Sequence, residues 1–506
     1  VNGDYSFAGL PAGGNYTIAV ARTNYTFAQP SRAFSNLGAN QTADFSGTLV
    51  NFTISGGVTA SGAGLGGVTV RLTGTQAGQA TTDAAGLYSF SVIAEGNYAV
   101  EPSKEGYVFN RVGASFANLS GDQLADFAAT LRPSVEFNSS VSAVSEGAGA
   151  FDVIVTRGGD TSGKLSVIYS ASDGTAHQGA DLSTVIGQTT FAPGEASKAI
   201  TVYITDDAYV EGPETITLSL RDPTGGAAVL GNRSTAILTI TDNDQSASST
   251  NPSDDARFFV RQHYRDFLNR EPDAAGLDFW ANQIVECGTD AACLQVKRQD
   301  VSAAFFLSIE FKETGFLIYR LYKSGYGRMP RRVEEFLFDA HLIGEGVAVG
   351  LPGWAEKLDA NKNAFVSEFV ARPSFVAQYP LALTPAQFVA QLNANTGASL
   401  SAAEAAALAS SAFGGAADSS DASARRIALV KVAENAEFSR RELNKAFVLM
   451  QYFGYLQRNP DDAPDTDFRG FDFWLKKLDD NGGDYSKAQM VSAFIESIEY
   501  RKRFGQ

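Results

Sequence analysis

Apolar positions in this chain follow two different periods. In the first half they alternate with polar ones, as in NFTISGGVTASGAGLGGVTVRLTG at 51–74, which reads as two strands around a Gly-rich turn. From Arg257 onwards they recur at helical spacing. The pattern predicts a β half, a polar linker QSASSTNPSDDA at 245–256, and a helical half. No stretch reaches the ~18 apolar residues of a membrane-spanning helix.

The β half opens with an internal repeat. Tyr16 matches Tyr98, Tyr25 matches Tyr107, Phe27 matches Phe109, Phe34 matches Phe116, and Asp44-Phe45 matches Asp126-Phe127, always 82 residues apart. Tyr5 and Phe7 match Tyr88 and Phe90 at 83, a one-residue slip in the loop. The second copy, 51–132, is complete. The first, 1–50, lacks a counterpart of the opening strands, which places Val1 inside a domain: either the chain is a fragment of a longer protein or processing begins there. If Val1 is a mature terminus, the first copy exposes an unpaired edge that a strand from a neighbouring chain would fill, giving a filament.

The second copy carries Ile54-Ser55-Gly56-Gly57-Val58, Gly66-Gly67-Val68-Thr69-Val70, Thr82-Asp83 before Gly86-Leu87-Tyr88-Ser89-Phe90, and Gly96-Asn97-Tyr98. In these it resembles the carboxypeptidase-regulatory-like, prealbumin-type β-sandwich. The resemblance implies a spacer or stalk module rather than a catalyst.

Residues 133–244 form a third β unit. Its marks are Val144-Ser145-Glu146-Gly147, Gly179-Ala180-Asp181, Ile204-Thr205-Asp206-Asp207 with Glu211-Gly212-Pro213-Glu214-Thr215, and Ile240-Thr241-Asp242-Asn243-Asp244. These resemble the Calx-β domain, although Leu182 replaces the aromatic of that family's Gly-x-Asp-Tyr turn. The resemblance implies a two-sheet sandwich, in some members with calcium at one end. Ca²⁺ takes about six to eight oxygen ligands, and carboxylates gathered at strand ends supply them. The candidate metal ligands are Glu146, Asp181, Asp206, Asp207, Asp242 and Asp244. The alternative is that these Asp and Asn residues simply make turns.

The helical half is organised by a threefold pattern, Tyr-x5-Arg-x-Pro. It occurs as Tyr264/Arg270/Pro272, Tyr322/Arg328/Pro330 and Tyr452/Arg458/Pro460. One tryptophan follows each (Trp280, Trp354, Trp474), and each unit closes on an aromatic pair: Phe305/Phe311, Phe369/Phe375 and Phe494/Tyr500. Three units follow, at about 257–311, 318–375 and 445–504, within a domain over 257–506. Pro-Asp breaks one helix, and Asp273 or Asp461 caps the next. The Tyr, Leu, Phe and Trp positions are expected in the core. Arg270 is expected to pair with Asp273 or to satisfy helix-end carbonyls. The acidic run Asp461–Asp467 reads as an ordered turn. Tyr264–Asp273 with Gly276 and Phe279-Trp280, Ser308–Phe311, and the third copy's Gly470, Phe473-Trp474 and Ser497–Tyr500 resemble a bacterial domain family of unknown function, 4214, itself distantly like phycobilisome linker domains. No activity comes with that resemblance.

Composition narrows the role. The 506 residues are 44% hydrophobic, enough for several cores, and the net charge of −16 repels phosphate backbones, which argues against nucleic-acid binding. Residues 1–244 carry 11 Lys+Arg against 22 Asp+Glu, and the remainder 29 against 34, so the acid excess lies mainly in the β half. Cys287 and Cys293 are the two cysteines, six apart, and read as a short disulfide loop in an exported protein. Seven Asn-x-Ser/Thr sequons lie in the β half, at Asn15, Asn24, Asn40, Asn51, Asn118, Asn138 and Asn232. They are candidate glycosylation sites, although the Thr/Ser richness of exposed strands also produces them. His177, His263 and His341 are scattered, and no Gly-x-Ser-x-Gly, His-Glu-x-x-His or phosphate loop is present. The reading is a non-enzymatic, extracellular or cell-surface bacterial protein of structural or adhesive role. Calcium is its candidate cofactor, and self-association or other surface proteins are its candidate partners. The alternative is a helical module that binds glycan or protein.

Overall fold

The computed structural model describes residues 3–245 and 250–505; positions 246–249 of the expected linker lie outside the described residues. Strands run as far as Thr241 and helices follow from Ala256, so the expected class, β-sandwiches followed by an all-α repeat region, holds. The chain divides into two compact units. One holds Val1–Ser134, Gly158–Gly163 and Gly225–Val229. The other holds Val135–Arg157, Lys164–Thr224 and Leu230–Gln506.

In the first unit the repeat reappears in the strand register. Tyr16 lies opposite Phe34 as Tyr98 lies opposite Phe116, and Tyr25 opposite Leu49 as Tyr107 opposite Leu131. The supporting bonds repeat as well. Asn36 N donates to Asn15 Oδ1 at 2.9 Å, and Asn118 N to Asn97 Oδ1 at 2.8 Å. In the second copy the strand Asn51–Ala60 runs between Leu87–Ile93 and Phe127–Leu131. Its alternate residues Ile54 and Val58 face a core with Val70, Leu72, Tyr88, Val100 and Phe127. Gly56 is required there, because a Cβ would sit 1.9 Å from the Ala125 carbonyl oxygen. Residues 3–50 have no counterpart of that strand. Among the described residues of this copy only Ala43 is buried, and Tyr5, the match of buried Tyr88, is exposed.

The second unit joins a sandwich to the helices. One sheet orders Val141–Ser145, Thr235–Thr241, Glu214–Thr224, Leu165–Asp173 and Ile186–Phe191. The opposing sheet includes Ala150–Gly158 paired with Ser197–Tyr203. Val153, Val155, Ile200, Val202, Ile216, Leu218 and Leu238 fill the space between.

The first helical repeat comprises α1 (Ala256–Leu268), α2 (Ala274–Val285), α3 (Ala291–Leu307) and α4 (Ile309–Glu313). The second comprises α5 (Gly315–Tyr326), α6 (Val333–Gly344), α7 (Trp354–Ala371) and α8 (Pro373–Gln378). Helices α9 (Pro385–Asn395), α10 (Ala402–Phe413) and α11 (Ala422–Ala433) intervene. The third repeat comprises α12 (Ala436–Met450), a wide turn Gln451–Tyr455, α13 (Arg469–Asp480), α14 (Met490–Ile495) and α15 (Ile498–Arg501).

Each repeat is built alike. The motif tyrosine is buried, its arginine lies over the ring (4.9, 5.2 and 5.3 Å to the centroid), and the first closing phenylalanine meets the same ring edge-on. Arg270 departs from the expected Asp273 pairing. It grips Glu310 of the closing segment through Nε and Nη2 at 2.7 and 2.8 Å. Arg458 does the same with Glu499. In the middle repeat Ser374 stands in that place and Arg328 turns to Glu335. Asp273 is released to cap α2, accepting from Gly276 N. Asp461 does not cap α13, whose first turn follows Phe468 without a side-chain cap. The tryptophans also differ from expectation. All three are half-buried, and Phe279 and Phe473 beside two of them are 60% and 58% exposed. The indoles pack against the core from its rim. Cys287 and Cys293 form a disulfide, Cα–Cα 5.5 Å.

Candidate functional site

Strand register brings the acids of the sandwich together. Ser145 lies opposite Thr241 in a parallel pair, so Glu146 and Asp242–Asp244 leave the sheet at the same end. Ala150 lies opposite Tyr203, which brings Asp206 and Asp207 to that end from the other sheet. Glu214 begins the strand beside Ile240, and Asp173 ends the strand beside Ile216, so the turns bearing Glu211 and Asp181 arrive there as well.

Carboxylate oxygens of Glu146, Asp207 and Asp244 lie within 4.8 Å of one another, and so do those of Asp181, Asp207 and Glu211. Asp207 belongs to both groups. Asp242 and Asp206 stand close by. Asp242 accepts from the backbone N–H of Glu211 and of Asp244, both at 2.6 Å, and Asp206 accepts from Asn243 Nδ2 at 3.0 Å. Backbone donors also hold the central acids: Asp207 N to Glu146 Oε1, Tyr209 N to Asp207 Oδ1 and His177 N to Asp181 Oδ2. All six residues singled out in the sequence are thus at one end of the sandwich. Glu211 and Glu214 join them and were not among the candidates. The available signal was the Gly-Pro turn between them, which returns the chain to the sheet just after Asp207.

Among the described residues none of the eight acids forms an ion pair with Lys or Arg. Burial pushes Glu146 up to about 7, with Asp206, Asp242 and Asp244 adding repulsion. Burial pushes Asp207 up to about 8, with Glu146, Glu211 and Asp181 adding to it. Burial and Asp181 raise Glu214 to about 7. Asp244 is raised by burial and by Asp242 and Asp206, and its Oδ2 is buried with no hydrogen-bond partner among the described residues. Oxygens within about 5 Å of one another suit a hard cation with bond lengths of about 2.3–2.6 Å. The donor set, all oxygen with an orphaned carboxylate atom, fits calcium chemistry.

The remaining candidates are dispersed. Asn15, Asn40, Asn51, Asn118, Asn138 and Asn232 are exposed and Asn24 is half-buried. His263 lies 2.7 Å from Ser302 Oγ, but both are fully buried, the imidazole is pushed down to about 3 by burial, and its other nitrogen bonds the Phe259 carbonyl. That pair ties α1 to α3 and has no face open to a substrate.

Residues 129–244 match the model of the Calx-beta domain, residues 238–315 that of DUF4214, a domain of unknown function, and residues 45–123 that of the second beta sandwich domain of BOS complex subunit NOMO1-like proteins. The chain is 32% identical over 119 residues to adhesion G-protein coupled receptor V1 of Danio rerio, covering 24% of this chain and 2% of that protein. It is 33% identical over 113 residues to sodium/calcium exchanger 1 of Canis lupus familiaris, covering 19% and 12%. The solved apo form of the Calx CBD1 domain aligns at 32% identity and TM-score 0.22, over 22% of this chain and 99% of that one. The chain spans only these small shares of its curated relatives. It is a multidomain protein of β-sandwich units and a helical region, with adjoining segments that match the Calx-beta and DUF4214 models.

Proposed function

We propose that this chain is a non-enzymatic structural or adhesive module of an extracellular or cell-surface bacterial protein, with calcium at the acidic end of its Calx-beta sandwich. The observation that carries the reading is the convergence of Glu146, Asp181, Asp207, Asp244 and Glu211 with no Lys or Arg ion pair among the described residues. Uncompensated buried carboxylates are costly, and a divalent cation removes the cost by supplying the missing charge. Glu146 and Asp244 on one side of Asp207, and Asp181 and Glu211 on the other, would supply the ligands, with Asp206, Asp242 and Glu214 around them. Calcium supplies charge and cross-linking of loops, and no bond-making chemistry is required of it. Tandem sandwiches, the Cys287–Cys293 disulfide and exposed sequons support an exported, load-bearing role. Partners of such a module are further copies of itself or other surface proteins.

The test is thermal unfolding of the chelator-stripped chain with added CaCl2. The melting temperature rises with the wild type and stays fixed with Asp207→Asn. An unchanged wild-type transition overturns the reading. A second reading, recognition of glycan by the helical region, is favoured by one observation. Phe279 and Phe473 are exposed at equivalent places and stand edge-on to Trp280 and Trp474, at 4.9 and 5.1 Å between ring centroids. A glycan array probed with the wild type and with Phe279→Ala/Phe473→Ala decides it: a hit lost in the variant supports recognition.

A further inference from the structure

The acidic end of the sandwich is not a free tip, because the C-terminal turn of the helical region is seated on it. Arg503 is 7% exposed and its guanidinium faces two ways. Nε donates to the Gly179 carbonyl at 2.6 Å, while Nη1 and Nη2 clasp Asp266 of α1 at 2.9 and 3.0 Å. Gly179, at φ +86°, opens the turn that carries Asp181, and the Asp181 carbonyl accepts from Thr205 N at 2.9 Å. The Phe504 carbonyl accepts from Ala208 N, the amide directly after Asp207, at 3.1 Å. Arg265 of α1 donates to the carbonyls of Ile204 and Gly149 at 2.8 and 2.7 Å. The three loops carrying Glu146, Asp181 and Asp207 are therefore each held by a polar contact from the helical region.

Carboxylates at this separation repel one another, and the loops bearing them tend to part unless something outside the cluster resists. Arg503 and Arg265 bond loop carbonyls rather than the carboxylates, so they fix the loops while leaving the acid oxygens available to a cation. We propose that Arg503 and the turn after it are positioning elements of the cation site. The helical region sets the spacing of Asp181 and Asp207, and an ion bound there in turn secures the seat of residues 500–505 on the sandwich. Such coupling is reciprocal, so each side stabilises the other by the same factor. The inference rests on the calcium reading above.

The test uses the full chain stripped with chelator. Calorimetric titration with CaCl2 is done on the wild type, Arg503→Ala, Arg503→Lys and Arg425→Ala. Arg425 is a fully buried control arginine that holds the carbonyls of Tyr379, Pro380 and Ser419 away from the cluster. Arg503→Ala is expected to weaken calcium about tenfold at unchanged stoichiometry, Arg503→Lys to recover part of the loss, and Arg425→Ala to leave affinity alone. Hydrogen exchange of the wild type gives a second readout that needs no variant. The amides of Arg503 and Phe504, which bond Tyr500 and Arg501 carbonyls, are expected to exchange more slowly with calcium than with chelator. If the wild type binds calcium but these amides exchange alike in both states, the positioning role is overturned and the calcium site stands. Unchanged affinity in a folded Arg503→Ala overturns it equally. Absence of any binding heat in the wild type overturns the calcium reading itself, and this inference with it.

Discussion

Two sets of buried acids lie within one compact unit and are handled in opposite ways. In the helical region the chain supplies each with a cation: Glu310 with Arg270, Asp339 with Arg372, Asp266 with Arg503. At the end of the sandwich Glu146 and Asp207, both 7% exposed, receive, among the described residues, backbone N–H groups and face further carboxylates. A buried charge is tolerated when it is paired and hydrogen-bonded. Where the chain provides the pair, the acid is part of the scaffold. Where it withholds the pair and gathers more acids, the proposed reading is that a cation from outside supplies the missing charge.

The contrast predicts opposite responses to removing an acid. Asp339→Ala strips half-buried Arg372 of its bidentate partner (Nη1 at 2.8 Å, Nη2 at 2.7 Å), leaving it the exposed Glu368, and also removes the acceptor of the buried Tyr322 hydroxyl; it is expected to cost about 3 kcal/mol in urea unfolding. A loss below about 1 kcal/mol would break the comparison on the helical side. For the sandwich, calcium at about a hundred times its Kd is expected to stabilise by about 2.7 kcal/mol, a rise of roughly 5–10 °C in Tm. Asp207→Asn keeps the acceptor for Tyr209 N but removes the shared charge. In chelator at pH 8 it is expected to melt above the wild type, the reverse of Asp339→Ala; a lower Tm would show that the cluster is not repulsive.

The pH dependence follows with its sign. Glu146 and Asp207 are raised in the folded state to about 7 and about 8, above their unfolded values, so between about pH 4 and pH 8 the folded chain binds more protons than the unfolded one. Without metal, stability is therefore expected to fall as pH rises across that window. Saturating calcium replaces the protons and flattens the slope, which melting curves at intervals of pH will read. The smallest effect is reserved for exposed pairs. Lys476→Ala, which removes the surface pair with Asp480, is expected to change stability by no more than about 0.5 kcal/mol.

Much of this was legible in the chain. The 82-residue offset became identical registers in the two copies, because strand pairing is carried by the aligned aromatic positions and the Asn turns that cap them. The threefold Tyr, Arg and closing Phe became three like arrangements of ring, guanidinium and ring edge. Each of the six candidate acids was identifiable from its own turn. Glu211 and Glu214 were in view within a motif, and the Gly212-Pro213 turn between them was the local signal, but it did not say which acids they would meet.

What the sequence by itself determined is therefore the set of elements: period, turns, helix breaks and the residues that can carry charge. Those follow from interactions within a few positions along the chain. Only the tertiary structure decided which charges meet. Arg270 finds Glu310 forty residues on, and Arg503 reaches Gly179 across 324, because sheet register and helix packing choose which loops share an end. The same packing left Phe279 and Phe473 outside, where period alone placed them with the core. Pairing of buried charge is a property of the assembled fold, since a guanidinium selects among acids by distance and desolvation, and neither is defined until the elements pack.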